Sequence, residues 1–469
     1  MKTWIGLDIG HTSLNFSVID EMGSQVRSIE VAINSQLSEP HQPNPSELLT
    51  QIMAHLDSLV SIETETPQAL GLSGANRFVL LWDRNSSVPI GDPVKAPGRL
   101  LSYDAQSKLT EPTNAANNSQ SATDFQRLIR TAQVNDSLIL GSLESWLLSQ
   151  LTGSTSPLTD PSCASRFYTL NQIQQMDKGV IPEEVGLKPT QHPNFTPSSN
   201  PSNTLGKIHL ADGRELRVSS FLSSQSAQLL SHGCLLPGQG VLFLEPSARM
   251  LINTGSEVHD PDNTFIAWQL PEGETTYLSE ITMPEIKDTL RWLFSNFNLG
   301  HSLTELHSLA KQVRSAEQVT LVPYRTTNTD KTQSTSLLLA GLSVSSNKFH
   351  IARAGLESIA LQISSFITLW NKSNPVPLQS LSMGDVTEHL ELLFQLISDL
   401  NHISVLCSRL PRTSAYGAAL STLPGLDSFI SNYETTDEAN YVPSAHPRAA
   451  ASKLDKWLRF QDKLASFNK

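Results

Sequence analysis

The first residues whose types and spacing could support chemistry form a tight turn, Asp8-Ile9-Gly10-His11-Thr12. An apolar run over residues 4–7 precedes this turn, and apolar residues alternate with small or polar ones over 14–18. These patterns predict a buried strand, a glycine-containing turn with an acid at its base, and a half-buried second strand. Successive backbone amides in such a turn can form a nest that binds phosphate groups. The turn therefore has two interpretations, a phosphate site with an acid beside it or an ordinary β-hairpin.

Apolar residues at helical and strand spacing predict alternating elements along the rest of the chain. The predicted helices cover residues 46–60, 136–151, 350–370, 387–401 and 449–467. Strands are predicted over 68–74, 79–83 and 337–342, whereas polar composition predicts irregular loops over 109–124 and 326–336. A new series of strands begins at Gly238. We therefore predict two α/β domains, 1–238 and 239–469.

Composition excludes several classes of protein. The 469 residues carry a net charge of -12, which argues against a nucleic-acid partner and against binding to an anionic membrane surface. The apolar runs all fall short of the roughly 20 residues needed to span a membrane. The 3 cysteines are scattered and odd in number, so they predict no disulfide framework and fit a reducing cytoplasm. We expect a cytoplasmic globular protein.

The first turn resembles the first phosphate hairpin of the actin-like ATPase superfamily. Further stretches carry a more specific resemblance, and they are residues 70–74, 145–148, 151–153, 159–160, 164–166, 252–255, 351–360 and 415–419. In the same order along the chain, these stretches are similar to the FGGY family of carbohydrate kinases, which includes glycerol kinase and xylulokinase. The resemblance covers nearly the whole chain. It implies an α/β fold of two ribonuclease-H-like domains, as in actin and hexokinase, with an interdomain cleft.

The same resemblance implies a reaction and a set of site residues. The reaction would be ATP-dependent phosphorylation of a polyol or ketose, with the sugar on the first domain and ATP on the second. Asp8 would orient a Mg²⁺ ion. The nucleotide and phosphates would contact Asp8, Gly10, His11, Thr12, Gly341, Gly384 and Gly417. The sugar would contact Asn76, Arg77, Arg99 and Gln225. Relatives form dimers and tetramers, so a homodimer is one assembly that the resemblance implies.

The sequence departs from the family pattern at positions that matter for catalysis. Ser224 stands where the family has the aspartate that acts as general base, and loss of such a base typically costs about 10²–10⁴ in rate. His11 replaces the usual Thr or Ser. The usual Gly-Thr-Gly of the second phosphate loop is Glu245-Pro246-Ser247, in which Pro246 lacks an amide donor.

Three charged residues keep alternative interpretations. Glu245 either faces a γ-phosphate or points to solvent. Arg77 and Arg99 either bind an acidic ligand or are solvated surface charges. We therefore predict an FGGY-like kinase whose activity is impaired. The alternative is a non-catalytic pseudokinase that binds a sugar, a nucleotide or a protein partner.

Overall fold

The structure is a computed structural model of the 469-residue chain. It describes residues 1–33, 43–96, 115–178, 187–199, 204–244, 248–258, 264–269, 275–327, 333–384, 390–408, 411–424 and 438–467. Of the helices in these ranges, none combines the length and the apolar character that crossing a membrane requires.

The chain divides into two compact units. The first contains Met1–Leu235, Asp260–Ser279 and Arg412–Tyr433, and the second contains Leu236–His259, Glu280–Pro411 and Glu434–Lys469. The first unit thus includes two segments from the part of the chain that lies beyond residue 239.

The first unit is built on a six-stranded sheet in the order β10-β11-β4-β1-β2-β3. Its strands are β1 (Thr3–Ile9), β2 (Ser13–Asp20), β3 (Gln25–Ala32), β4 (Leu70–Gly74), β10 (Gly206–His209) and β11 (Glu215–Ser223). Strand β4 runs parallel to both β1 and β11, while the remaining pairs are antiparallel. The carboxyl ends of these three central strands therefore meet at one edge of the sheet.

Smaller strands and seven described helices complete the first unit. The strands are β5 (Phe78–Asp83), β6 (Val94–Lys95), β7 (Leu138–Ser142), β8 (Leu158–Thr159), β9 (Asn194–Phe195), β14 (Thr264–Gln269) and β15 (Thr275–Thr282), of which the residues from Glu280 onward are assigned to the second unit. The helices are α1 (Pro45–Ser61), α2 (Ala115–Gln133), α3 (Leu143–Thr152), α4 (Pro161–Ala164), α5 (Leu170–Asp177), α6 (Ser224–Ser231) and α11 (Ser414–Leu420). Helices α1 and α3 bury their apolar faces against the sheet, in a core that includes Leu7, Phe16, Leu56, Leu72 and Trp146.

The second unit contains the strand order β13-β12-β18-β19-β20 and the hairpin β16-β17. The strands are β12 (Gln239–Phe243), β13 (Arg249–Gly255), β16 (Thr320–Thr327), β17 (Gln333–Ala340), β18 (Ser380–Met383), β19 (Ser404–Ser408) and β20 (Glu438–Tyr441). The helices are α7 (Pro284–Phe297), α8 (Leu303–Ala310), α9 (Lys348–Ser373), α10 (Glu391–Asn401) and α12 (Pro447–Phe467). The long helix α9 supplies the centre of this unit's core with Leu356, Ile359 and Ile363.

Three of the predicted elements differ from the structure. The helix predicted over 136–151 is strand β7 followed by helix α3, because the apolar run at its start pairs with β5 and Ser142 caps the helix. The loop predicted over 109–124 is helical from Ala115 onward. The loop predicted over 326–336 contains the end of β16 and the start of β17, since the two polar strands pair with each other.

Candidate functional site

The site begins at the shared edge of β1, β4 and β11. Asp8 pairs in register with Ser73, and Ser73 pairs with Leu222 on the other side, so the three strands bring these positions level. Helix α6 starts immediately after β11, with Ser224 as its first residue. Parallel strands thus place an acid from β1 beside residues that lie far away in sequence.

Asp8 is buried and is held by two hydroxyl groups. Its Oδ1 accepts hydrogen bonds from Ser73 Oγ at 2.7 Å and from Ser224 Oγ at 2.6 Å. Hydrogen bonds to a charged group contribute roughly 1.5–3 kcal/mol each. The structure therefore brings together Asp8 and Ser224, and it gives the Ser224 hydroxyl a donor's role toward the carboxylate.

The turn after β1 is closed by backbone hydrogen bonds. The Gly10 amide donates to the Ser13 carbonyl at 3.0 Å, and a Cβ at Gly10 would lie 2.7 Å from that same oxygen. His11 and Thr12 are exposed, and the His11 ring stacks on Phe78 with a centroid distance of 6.4 Å. His11 and Thr12 are accessible to a ligand from solvent, and their contact with phosphate stays a prediction.

Asn76 lies just beyond β4 in a left-handed conformation, with φ of 49°. Its amide N–H donates to Glu144 Oε1 at 2.8 Å, and its side-chain Nδ2 donates to the Gly74 carbonyl at 2.8 Å and to Cys163 Sγ at 3.2 Å. Asparagine tolerates this backbone conformation better than most residues. The carboxyl of Glu144 therefore helps to fix the turn at Asn76. Arg77, the residue after Asn76, lies at the surface.

Glu144 is a site residue that the sequence did not reveal. It lies in the first turn of α3 with 3% of its surface exposed, and its Oε2 has no hydrogen-bond partner among the described residues. Burial raises the pKa of Glu144 to about 7, and the charge of Asp8 raises this pKa further, while backbone hydrogen bonds from Glu144 and Asn76 oppose the rise. An acid in the first turn of a helix is usually solvated. The available sequence signal was Gly74, whose missing side chain leaves the space that the carboxyl occupies.

Gln225 follows Ser224 in α6 and is also buried, at 7% exposure. Its Oε1 has no hydrogen-bond partner in the described part of the chain. The structure therefore places Asn76 and Gln225, both predicted to contact a sugar, at the ends of the adjacent strands β4 and β11.

A buried hydrogen-bond network fixes the strand end that precedes Ser224. Asp160 accepts hydrogen bonds from Ser162 Oγ at 3.0 Å and from Ser198 Oγ at 2.6 Å, and the Ser223 amide donates to Ser162 Oγ at 2.8 Å. Burial raises the pKa of the Asp160 carboxyl above its usual range. The network holds the backbone at Ser223 and therefore positions Ser224.

Three predicted nucleotide-binding glycines each lie at a close approach within the protein. A Cβ at Gly341, which has φ of 79°, would lie 1.9 Å from the Gln318 carbonyl oxygen, and one at Gly384 would lie 2.3 Å from a Phe243 ring carbon. Both belong to the second unit. Gly417 belongs to the first unit, where its Cβ would lie 1.8 Å from the Ala227 oxygen of α6. Packing explains all three glycines, and their role with a nucleotide stays a prediction.

Two groups of predicted residues lie outside the described residues. They are Arg99 and the altered second phosphate loop, residues 245–247. Their alternative interpretations therefore stand as the sequence left them.

The described residues fit a magnesium–nucleotide complex better than a metal ion held by protein alone. Within them, no cluster of three or more His, Cys, Asp or Glu side chains could hold a metal. Asp8 offers one carboxylate, which suffices where substrate phosphates supply further ligands to Mg²⁺. In such a complex Asp8 would be the protein's contribution to the coordination.

The comparisons with known proteins agree on one group of enzymes. No protein-family model matches the chain. The chain is 22% identical to glycerol kinase from Bacillus velezensis over 484 residues, covering 97% of both chains. It is 25% identical to glycerol kinase from Deinococcus radiodurans over 481 residues, covering 92% of this chain and 90% of the relative.

Solved structures give the same result for the fold. The crystal structure of Plasmodium falciparum glycerol kinase with ADP matches with a TM-score of 0.81 at 18% identity, covering 99% of this chain and 98% of that one. Xylulose kinase from Rhodospirillum rubrum matches with a TM-score of 0.74 at 18% identity, covering 99% of each chain.

The fold is the two-domain α/β fold of the actin- and hexokinase-type ATPases, as predicted. Within that class the chain is similar, over nearly its whole length, to glycerol and xylulose kinases, which confirms the predicted resemblance to the FGGY carbohydrate kinases. It is a carbohydrate-kinase-like protein.

Proposed function

We propose that this protein binds a small polyol or ketose and has ATP-dependent phosphorylation of that compound as its ancestral reaction. In this proposal the first unit binds the sugar through Asn76, Arg77 and Gln225. The second unit binds most of the nucleotide, with Mg²⁺ held by Asp8 and the phosphates. The ADP in the Plasmodium falciparum relative supports the choice of nucleotide. We place the protein in the cytoplasm, as its three buried, free cysteines favour.

We further propose that phosphoryl transfer is slow in this protein. The observation that carries this proposal is the 2.6 Å hydrogen bond from Ser224 Oγ to Asp8 Oδ1. A neutral hydroxyl that already donates to Asp8 cannot take the proton of an attacking sugar hydroxyl as a carboxylate would. Because phosphoryl transfer depends mostly on positioning and electrostatics, losing the base reduces the rate without removing the other contributions.

The experiment restores the carboxylate. Ser224→Asp is assayed for ADP formation with Mg-ATP and a panel of polyols and ketoses, beside the wild-type protein. We expect the variant to be faster by about 10²–10⁴. Ser224→Asn is the matched control, since it has nearly the same size as aspartate and no basic atom, and we expect it to lack this gain.

Calorimetry with Mg-ATP separates the remaining outcomes. If the proteins bind Mg-ATP and Ser224→Asp shows no gain over Ser224→Asn, the missing base does not limit the rate and the proposal of slow transfer fails. If the wild-type protein and both variants fail to bind Mg-ATP at millimolar concentration, the kinase proposal fails. The non-catalytic alternative would then be preferred.

A further inference from the structure

Three buried side-chain oxygens near the sheet edge where Asp8 and Ser224 meet lack a hydrogen-bond donor within the described ranges. They are Asn76 Oδ1, Glu144 Oε2 and Gln225 Oε1, and they accept no hydrogen bond from any residue that the structure describes. The three side chains are 3%, 3% and 7% exposed. A buried acceptor left without a donor costs roughly 1–3 kcal/mol. Three such acceptors in one region indicate a site that a donor-bearing ligand completes.

The sheet register explains why these residues are neighbours. Gly74 at the end of β4 pairs with Ser223 at the end of β11, and Asn76 and Gln225 each lie two residues beyond that pair. The backbone amide of Asn76 contacts Glu144 directly at 2.8 Å. The acceptors therefore belong to one edge of the first unit's sheet.

Glu144 also lines a small, partly open cavity with Gly10, Ala75 and Phe78. The cavity has a volume of about 10 Å³. A space of about 10–15 Å³ holds a single water molecule, and a ligand hydroxyl group has a similar size. The cavity therefore fits one hydroxyl group next to the Glu144 side chain, while the rest of a ligand would lie outside it.

The charges around this edge disfavour an anion. Asp8 is a second buried acid, and its charge acts on Glu144. Asp160 is a third, and both it and Glu144 act electrostatically on Cys163, the residue that Asn76 contacts. Arg77 and His11 line the cavity as well, but both are exposed, where solvent and salt screen their charges. A neutral donor is therefore the better match.

We infer that Glu144 is a binding residue of the acceptor site that selects uncharged polyols or ketoses over sugar acids. Its open Oε2 accepts a hydrogen bond from a ligand hydroxyl, Asn76 Oδ1 and Gln225 Oε1 accept from other hydroxyls, and the carboxyl repels a ligand carboxylate. This inference rests on the proposed function, because it takes this edge of the sheet as the place where the sugar binds.

The test measures binding without nucleotide, using pairs of compounds that differ only by a carboxylate in place of a hydroxymethyl group. The pairs are glycerol and glycerate, xylitol and xylonate, and D-glucitol and D-gluconate. Titration calorimetry is performed at about pH 8.5, because burial raises the pKa of Glu144 to about 7 and its carboxyl is charged above that value. It compares the wild-type protein with Glu144→Gln, which removes the charge and keeps the shape. Glu47→Gln, a substitution in the exposed first turn of α1, is the control.

For each pair of compounds that binds the wild-type protein, we expect the neutral compound to bind at least about tenfold more tightly than the acid. Glu144→Gln should reduce the ratio of the acid's dissociation constant to that of the neutral compound by about threefold or more. Glu47→Gln should leave this ratio unchanged. Equal or tighter binding of the acids, an unchanged ratio in Glu144→Gln, or no binding of any compound at millimolar concentration would each overturn the inference.

These outcomes are separate from those of the kinase assay. A protein that prefers neutral polyols but never transfers phosphate, even with Asp at position 224, supports the role of Glu144 and contradicts the proposed reaction. A protein that phosphorylates a sugar acid contradicts the role of Glu144 and leaves the kinase proposal intact.

Discussion

Gly74 and Glu144 share one space at the end of β4, where a Cβ built on Gly74 would lie 2.3 Å from Glu144 Cγ. The next nearest atoms to that Cβ also belong to the Glu144 side chain, at 2.8 and 2.9 Å. The absence of a side chain at position 74 therefore makes room for a buried carboxyl at position 144. The two residues should behave as a coupled pair.

We predict that Gly74→Ala destabilises the protein by about 1–3 kcal/mol, because the new methyl group overlaps the Glu144 side chain. Truncating that side chain with Glu144→Ala removes Cγ and the carboxyl group, which are the clashing atoms. The double variant should therefore lose less stability than the sum of the two single variants, by roughly 0.5–3 kcal/mol. Urea unfolding of the four proteins measures this coupling.

Gly71→Ala is the matched control for that cycle. A Cβ at Gly71 would lie 1.9 Å from the Ala418 carbonyl oxygen, which belongs to the backbone and does not involve Glu144. Glu144→Ala should not rescue Gly71→Ala. Strict additivity in the Gly74 cycle, or equal rescue of Gly71→Ala, would contradict the shared space.

Glu144 should also make stability fall as pH rises. Burial raises the pKa of Glu144 to about 7, whereas in the unfolded chain this group has its ordinary pKa of 4.5. Between these values the folded state holds a proton that the unfolded state has lost, so stability decreases with pH up to about 7. Between about pH 5 and about pH 8, we expect the unfolding free energy of Glu144→Gln to rise relative to that of the wild-type protein by about 2.5 kcal/mol. Denaturant titrations at the two pH values measure this difference. An unfolding free-energy difference between the two proteins that is the same at both pH values would contradict the prediction.

Helix α1 could be predicted from the sequence, whereas the burial of Glu144 could not. The predicted helix over 46–60 agrees with Pro45–Ser61, because a proline start and helical apolar spacing are local signals. Asp8 and Ser224 were likewise singled out as site positions by resemblance, whereas their hydrogen bond was not predicted. The burial of Glu144 depends on the missing side chain of Gly74, which is distant in sequence, so no local pattern reports it. Strand β7 was predicted as helix for a related reason, since only its pairing with β5 distinguishes it from an apolar helical turn.

His192 should give the opposite dependence on pH. Its ring is buried beside Tyr168 and Phe195, with Nδ1 2.6 Å from the Pro193 carbonyl oxygen, and burial lowers the pKa of His192 to about 4. In the unfolded chain this histidine has its ordinary pKa of 6.5 and binds a proton below it, so stability is lost as pH falls from there toward about 4.

We predict that His192→Phe reduces the loss of stability between about pH 7 and about pH 5 by about 1–2 kcal/mol. His232, whose pKa burial also lowers to about 4, should keep part of the acid sensitivity in the variant. The exposed His209→Gln serves as the control for removing an imidazole. Unfolding free energies at both pH values test this, and an undiminished loss in His192→Phe would contradict it.

Ser224→Asp should carry a stability cost that a divalent cation relieves. The wild-type hydroxyl lies 2.6 Å from Asp8 Oδ1, so a carboxylate at this position would face another carboxylate. Two like charges about 4 Å apart repel by about 4 kcal/mol at an effective dielectric constant of 20, and partial protonation limits that cost. We expect Ser224→Asp to unfold at a lower temperature than Ser224→Asn in EDTA, and the gap to narrow with Mg²⁺ present. If Mg²⁺ leaves the difference in unfolding temperature between the two variants unchanged, the two carboxylates do not share a cation.

Gly417 should control the position of helix α6, and with it Ser224. A Cβ at Gly417 would lie 1.8 Å from the Ala227 oxygen and 2.6 Å from the Ala227 carbonyl carbon, which are backbone atoms that no rotamer change can move. Gly417→Ala should therefore push α6 away from α11 and cost about 1–3 kcal/mol or more.

Hydrogen exchange separates this displacement from a general loss of stability. In Gly417→Ala, the amides of Ser224–Ser231 should exchange faster than those of α1, because α6 loses its close contact with α11. Gly153→Ala is the control, since Gly153 has φ of 65° and no atom within 4 Å of its Cβ position, so its cost is confined to the backbone at the end of α3. Equal protection of α6 in both variants would mean that the α6–α11 approach tolerates a methyl group, and Gly417 would then need an explanation other than packing.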